Sequence, residues 1–155
     1  MATPDFVLAL REKIGTQRLW LASVTAVVLR GTEVLLVRRA DTGEWTPVTG
    51  IIDPGEEPAV AAERECLEEA DIVAQCDGLT WLRVTGVVEY PNGDSSQYLD
   101  HVFVCSYVSG EPHPADGENT EAAWFERDAL PEMSDDMSAR ICSAFEFDGT
   151  TRFQR

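Results

Sequence analysis

The sequence predicts an α+β fold on three observations. Residues 24–30 and Glu33–Arg39 are β-rich runs separated only by Gly31 and Thr32, the spacing of a tight hairpin. A segment of helical period and high acidity opens near Pro58. Further β-rich runs follow it, and a capped helical segment over Asp135–Phe145 comes last. With 155 residues the chain fits one domain over 1–155, large enough to bury a core without disulfide or metal staples.

Taken in order, Thr3 and Pro4 read as an N-cap and first-turn proline opening a helix over about 4–14, which Gly15 stops. Phe6, Leu10 and Ile14 recur at i,i+4 and predict its docking side. Val34, Leu35, Leu36 and Val37 in succession predict a strand buried on both faces. Residues 44–48 are a short extended segment, made irregular or edge-like by Pro47. Pro54 and Gly55 turn the chain into the acidic helix, with Glu57 at its N-cap. After Ile72 a connecting segment is expected, then a strand over 82–90, a turn at Pro91, Asn92, Gly93 and Asp94, and a long strand over 98–108. Residues 110–120 form a loop, 122–125 a short strand, and Ser134 caps the last helix, whose apolar positions include Met137, Ile141 and Phe145. Residues 152–155 are expected to fray.

The acidic helix poses an electrostatic problem. At about 100° per residue, Glu65, Glu68 and Glu69 share one arc with the small Ala61, whereas Ala59, Cys66, Leu67 and Ala70 lie on the other side. Carboxylates at i,i+3 and i,i+4 repel, so an isolated helix gains nothing by gathering them. A hard divalent cation turns the repulsion into a site, because it takes oxygen ligands. A solvated face is the bland alternative for these three alone. Glu63 projects into the apolar arc and is expected to reach out to solvent.

Composition narrows the function. The formal net charge of -16 opposes direct binding to nucleic acid or an anionic membrane. No run approaches the roughly 18 apolar residues of a membrane span. Cys66, Cys76, Cys105 and Cys142 are dispersed without a C-x-x-C pair, so they read as buried bystanders in a reducing cytoplasm. The N-terminal stretch lacks a signal-peptide layout, and a cytoplasmic location is the expectation. His101 and His113 have no metal-ligand spacing.

Spacing adds specificity. Gly50 is followed after five residues by Glu56, after seven more by Arg64, Glu65, Cys66, Leu67, Glu68 and Glu69, and the stretch ends at Ile72. This resembles the Nudix box, G-x5-E-x7-R-E-U-x-E-E-x-G-U, with U a bulky apolar residue. The sequence departs at two places. Asp71 stands where the box has its last glycine, at an expected left-handed exit from the helix, and Cys66 fills an apolar position. The resemblance implies the Nudix fold, a mixed central β-sheet sandwiched between helices (α/β/α). It also implies hydrolysis of a nucleoside diphosphate linked to a group X, with Mg²⁺ (or Mn²⁺) as cofactor, a small-molecule nucleotide as partner, and often a homodimer.

By family correspondence, Glu68 and Glu69 are metal ligands, and Glu65 is a further ligand or the base that activates water. Arg64 orients Glu65, Glu56 supports the cluster or reaches a metal, and the backbone carbonyl of Thr49 is an additional ligand. The loop over 110–120 carries Glu111, Asp116 and Glu118, with Glu121 just after, and Glu118 is by analogy the carboxylate best placed to join the metals. Trp45, Tyr90 and Tyr98 are candidates to line a nucleoside pocket; core packing is the competing reading for each. The leading expectation is a (d)NTP pyrophosphohydrolase. An ADP-ribose or other dinucleotide pyrophosphatase is the alternative, and a nucleotide-sensing module without catalysis is a second one. An isopentenyl diphosphate isomerase would need a cysteine near Gly50, where Val48 and Thr49 stand.

Overall fold

The computed structural model describes residues 3–155. Helix α1 (Asp5–Ile14) leads into strands β1 (Leu19–Arg30), β2 (Glu33–Arg39), β3 (Trp45–Thr46) and β4 (Val48–Ile51). Helix α2 (Pro58–Ala70) comes next, then β5 (Val73–Val84), β6 (Val88–Glu89), β7 (Ser95–Ser109), β8 (Asn119–Glu126) and helix α3 (Asp135–Phe145). The strands form one mixed sheet with the path β3-β2-β1-β7-β5. To it β4 adds along β1, β6 along β7 and β8 along β2. All neighbours run antiparallel except β1 and β7, which are parallel from Leu19↔Ser96 to Leu29↔Ser106.

The helices cover both faces, as the apolar pattern requires. One core lies between α2 and the sheet, built on Val24, Leu35, Val37, Ala62, Cys66, Ile72 and Cys105. The other lies under α3 and uses the alternate residues of the same strands, Val27, Val34 and Leu36, with Ile141 and Ala144. Val34 through Val37 are therefore buried without a break, because each face of β2 has its own helix. A third cluster, Val7, Leu19, Leu21 and Ile51, seats α1.

The hairpin at Gly31 forms as expected, but β1 and β2 stay paired only at Leu29↔Val34 and Arg30↔Glu33. Beyond that they diverge, and the gap is filled by β3 on β2 and β4 on β1, with Pro47 at the corner. Gly50 thereby arrives beside Val24 at the start of the turn into α2.

Several boundaries differ from the sequence reading. Pro4 rather than Thr3 is the N-cap of α1, with no side-chain cap, and Leu10 is exposed while Val7 takes the buried position. Strand β1 begins at Leu19, five residues early, because Leu19 and Leu21 alternate inward over α1. The expected connection after Ile72 is the first half of β5, whose pattern is broken by register shifts at Cys76/Gly78 and Leu79/Trp81. The 82–90 strand is divided between the end of β5 and the short β6. The expected fraying at 152–155 does not hold for Arg152. It exchanges backbone hydrogen bonds with Thr80 and Leu82, and its guanidinium lies 4.2 Å from the Trp81 ring centroid. On α2, Leu67 is half exposed, and the buried side includes Glu65 and Glu69.

Asp71 ends α2 in the left-handed region (φ 55, ψ 34), with its N–H bonded back to Leu67 O. A Cβ is tolerated there at a cost that glycine avoids. Asp71→Gly is therefore expected to stabilise the fold by about 0.5–1 kcal/mol. Thermal denaturation should show a rise of roughly 1–4 °C.

Candidate active site on the acidic helix

The acidic face of α2 is organised by Arg64. Its Nε and Nη2 form a fork to Glu56 Oε1 and Oε2 at 2.8 and 2.9 Å. Its Nη1 donates to Glu65 Oε1 at 2.9 Å and to Glu68 Oε2 at 3.0 Å, and Nη2 also reaches Ile51 O at 3.3 Å. One guanidinium thus holds the carboxylates of Glu56, Glu65 and Glu68. This geometry suits Arg, whose planar donors serve several acceptors at once. The fork holds the Glu56 carboxyl below its usual range and stabilises the protonated guanidinium in return.

Glu65 is fully buried. Desolvation raises its carboxyl to about 7 against the pull of Arg64, and Glu69 and Glu68 add to the rise. Its Oε1 is held by Arg64, while its buried Oε2 has no hydrogen-bond partner among the described residues. A buried oxygen with no donor is costly. Gly50 makes room for this carboxyl: a Cβ built there would lie 2.2 Å from Glu65 Cδ and Oε1. Gly50→Ala should therefore displace Glu65 or β4 and cost about 1–3 kcal/mol by overpacking. Chemical denaturation measures that loss, and any turnover the site supports should fall by more than the lost folded fraction.

One turn further along α2, Glu69 is almost fully buried. Burial lifts its carboxyl to about 7, with Asp116 contributing in the same direction. The loop after β7 folds back onto this end of the helix. His113 N donates to Ala70 O at 3.0 Å and Ala115 N to Glu69 O at 3.3 Å, while Glu118 O accepts from Ala40 N at 2.8 Å. Gly110 permits the approach, since a Cβ there would meet Asp71 O at 2.3 Å. Asp116 Oδ1 accepts from Glu118 N at 3.0 Å and shapes the loop tip. Glu69, Asp116 and Glu118 consequently present carboxylate oxygens within 4.8 Å of one another.

Sequence reasoning selected Glu118 from that loop and passed over Asp116. The signal for Asp116 was its place two residues ahead of Glu118 across Gly117, where an aspartate can bond to the following backbone. It also missed Asn119, whose Nδ2 lies 3.3 Å from Glu69 Oε2, and Arg39. Arg39 is forked to Asp41 at 2.8 and 2.9 Å, and its charge is felt by both Glu69 and Tyr90. Arg39 pairs with Asn119 across β2 and β8, a neighbour no linear reading supplies. Glu121 pairs with Arg38 outside this cluster.

The other candidates separate. Tyr90 and Tyr98 are joined hydroxyl to hydroxyl at 2.5 Å, and burial pushes the Tyr90 phenol up. Tyr98 packs on the cluster containing Ile51, whose carbonyl Arg64 touches. Trp45 lies instead with the core under α3. It sits edge-on to Phe125 at 4.8 Å and lines a cavity of about 600 Å³ with Met133 and Pro131. Thr49 sits in β4 opposite Thr25. Glu63 does not reach out as expected; its Oε1 accepts from Cys76 N at 2.9 Å.

The donor set fits a hard cation. Every group is an oxygen, several are carboxylates, two of those are buried, and one buried oxygen lacks a hydrogen bond.

The chain also resembles known proteins. A family model described as NUDIX domain matches residues 20–143. An NAD-capped RNA hydrolase NudC of Pseudomonas syringae pv. syringae is 33% identical over 113 residues, covering 72% of this chain and 38% of that protein. This chain thus spans well under half the length of that relative. A MutT-like protein of Streptomyces ambofaciens is 32% identical over 126 residues, 80% of this chain and 76% of its own length. Among solved structures, an ADP-ribose pyrophosphatase from Streptococcus suis superposes with a TM-score of 0.64 at 19% identity, covering 86% of this chain and 98% of that one. That likeness establishes the shared fold.

Proposed function

This chain belongs to the Nudix family, and we propose that it hydrolyses the diphosphate bond of a nucleoside diphosphate linked to X, with a (d)NTP as the favoured substrate. The observation that carries the reading is the set of three carboxylates held by Arg64, placed one helical turn from the meeting of Glu69, Asp116 and Glu118.

In this reading Glu68 and Glu69 would hold Mg²⁺ or Mn²⁺, with Glu56, Asp116, Glu118 and the Thr49 carbonyl as supporting donors, and Glu65 would serve as the base. Such a cation neutralises phosphate charge and makes nearby water a stronger acid. Arg64 holds Glu65 by Oε1 and Glu68 by Oε2, and leaves Glu65 Oε2 to accept a proton from the attacking water. The water oxygen bonds to one phosphorus as the bridging P–O bond between the α- and β-phosphates breaks, and the other product leaves with that bridging oxygen. Arg39 carries positive charge beside Glu69 and is assigned to the phosphate chain, offsetting the repulsion of a chain with net charge -16. Tyr90 and Tyr98 are assigned to the nucleoside side. Trp45, on the opposite face of the sheet, is left to packing.

The NudC match favours one second reading, cleavage of a dinucleotide diphosphate. Product analysis separates the two. A (d)NTP hydrolase releases pyrophosphate and a nucleoside monophosphate, whereas a dinucleotide hydrolase releases two monophosphates and leaves (d)NTPs intact.

A further inference from the structure

The sequence disperses its cysteines, but the sheet brings two of them together. Cys76 on β5 is the register partner of Cys105 on β7, and their sulfurs lie 3.1 Å apart, both as free thiols. The backbone sets this proximity. In an antiparallel pair, directly opposed residues either exchange both N–H bonds or neither, and the second kind holds its side chains closer. Cys76 donates its N–H to Glu63 Oε1 on α2 instead of to β7, which identifies the closer kind. Its expected Cα separation falls within the range a disulfide spans. Strand β5 is an end strand of the sheet path, and its register shifts between Cys76 and Gly78, so the backbone there has room to adjust.

We propose that Cys76 and Cys105 form an oxidisable dithiol, which closes to an intrachain disulfide with hydrogen peroxide. Cys76, partly exposed on the edge strand, is the entry point; Cys105 is fully buried. The Cys76 thiolate attacks one peroxide oxygen: an S–O bond forms, the O–O bond breaks, and the departing hydroxide takes up a proton as water. Cys105 sulfur then attacks Cys76 sulfur. The S–S bond forms, the S–O bond breaks, and hydroxide leaves with the Cys105 proton as a second water. Two thiols lose two electrons and one peroxide gains them. Closure draws Cys76 Sγ away from Ala59 O, which it contacts at 3.6 Å in the first turn of α2. Cys66 shares the same core but is fully buried within α2.

The test uses the whole chain carrying Cys142→Ser, which removes the exposed cysteine on α3. The protein is treated with one equivalent of hydrogen peroxide, denatured, and alkylated with N-ethylmaleimide without reduction. The expected result is loss of two of the three remaining alkylatable thiols. The peptides containing Cys76 and Cys105 should be linked within one chain and freed by dithiothreitol, with Cys66 alkylated throughout. A companion Cys105→Ser variant should hold Cys76 as a sulfenic acid that dimedone captures. Three alkylatable thiols after treatment, a link involving Cys66, a link between chains, or overoxidation of Cys76 with Cys105 still free would each overturn the proposal.

Discussion

Replacing Glu68 by Gln is expected to lower kcat on any nucleotide that the proposed activity turns over by at least ~10²-fold while leaving the fold intact. Glu68 is about half exposed, and its one described partner is Arg64 at 3.0 Å, which keeps Glu56 and Glu65. Losing an exposed i,i+4 pair costs roughly 0.3–0.5 kcal/mol. The amide keeps the shape and removes the charge that a divalent cation needs. Steady-state kinetics and a thermal melt on the same preparation check both halves. If the variant turns over as fast as the parent, Glu68 is a solvated surface charge.

The largest effect on stability is expected away from the acidic helix. Asp100 on β7 is buried, accepts from Ser23 and Thr25 hydroxyls at 2.9 Å each, and lies 3.3 Å from Arg140 Nη1 on α3. Arg140 is itself buried and bonds Thr25 Oγ1 at 2.9 Å and Asp136 at 2.6 Å. Asp100→Ala leaves the guanidinium with the more exposed Asp136 as its one carboxylate among the described residues, a loss of ~3 kcal/mol by comparison with other broken buried pairs. Adding Arg140→Met should recover much of it, because no buried ion is then left without its partner. Urea denaturation of the two variants provides the comparison. A double variant less stable than Asp100→Ala alone would show that Arg140 stabilises the fold through Thr25 and Asp136 even without Asp100.

These two sites also show what a sequence can and cannot reveal. The acidic helix is legible because its meaning lies in fixed offsets along the chain: Gly50, Glu56, Arg64, Glu65, Glu68 and Glu69 need no tertiary information to be aligned. The left-handed exit at Asp71 and the Ser134 cap of α3 were legible for the same reason, since each is a local backbone matter. Asp100 and Arg140 meet only through the packing of α3 on the sheet. Cys76 and Cys105 meet only through a strand pairing whose β5 half is disguised by Gln75, Asp77 and Gly78. Asp116 was hidden among other loop acids until the loop's bonds to the end of α2 singled it out. Trp45 left two readings open, since an aromatic beside the box can stack on a base or pack in a core; β3 turns it toward the other core.

The most direct test of the site is metal-dependent turnover by the unmodified chain. The protein is stripped with EDTA and offered (d)NTPs, ADP-ribose and dinucleoside polyphosphates, with and without Mg²⁺ or Mn²⁺. The carboxylates of α2, together with Asp116 and Glu118, predict no hydrolysis in EDTA and restored release of phosphate-containing products from at least one substrate class when the cation returns. Hydrolysis that persists undiminished in EDTA, or none of any substrate with either cation, would contradict the assignment.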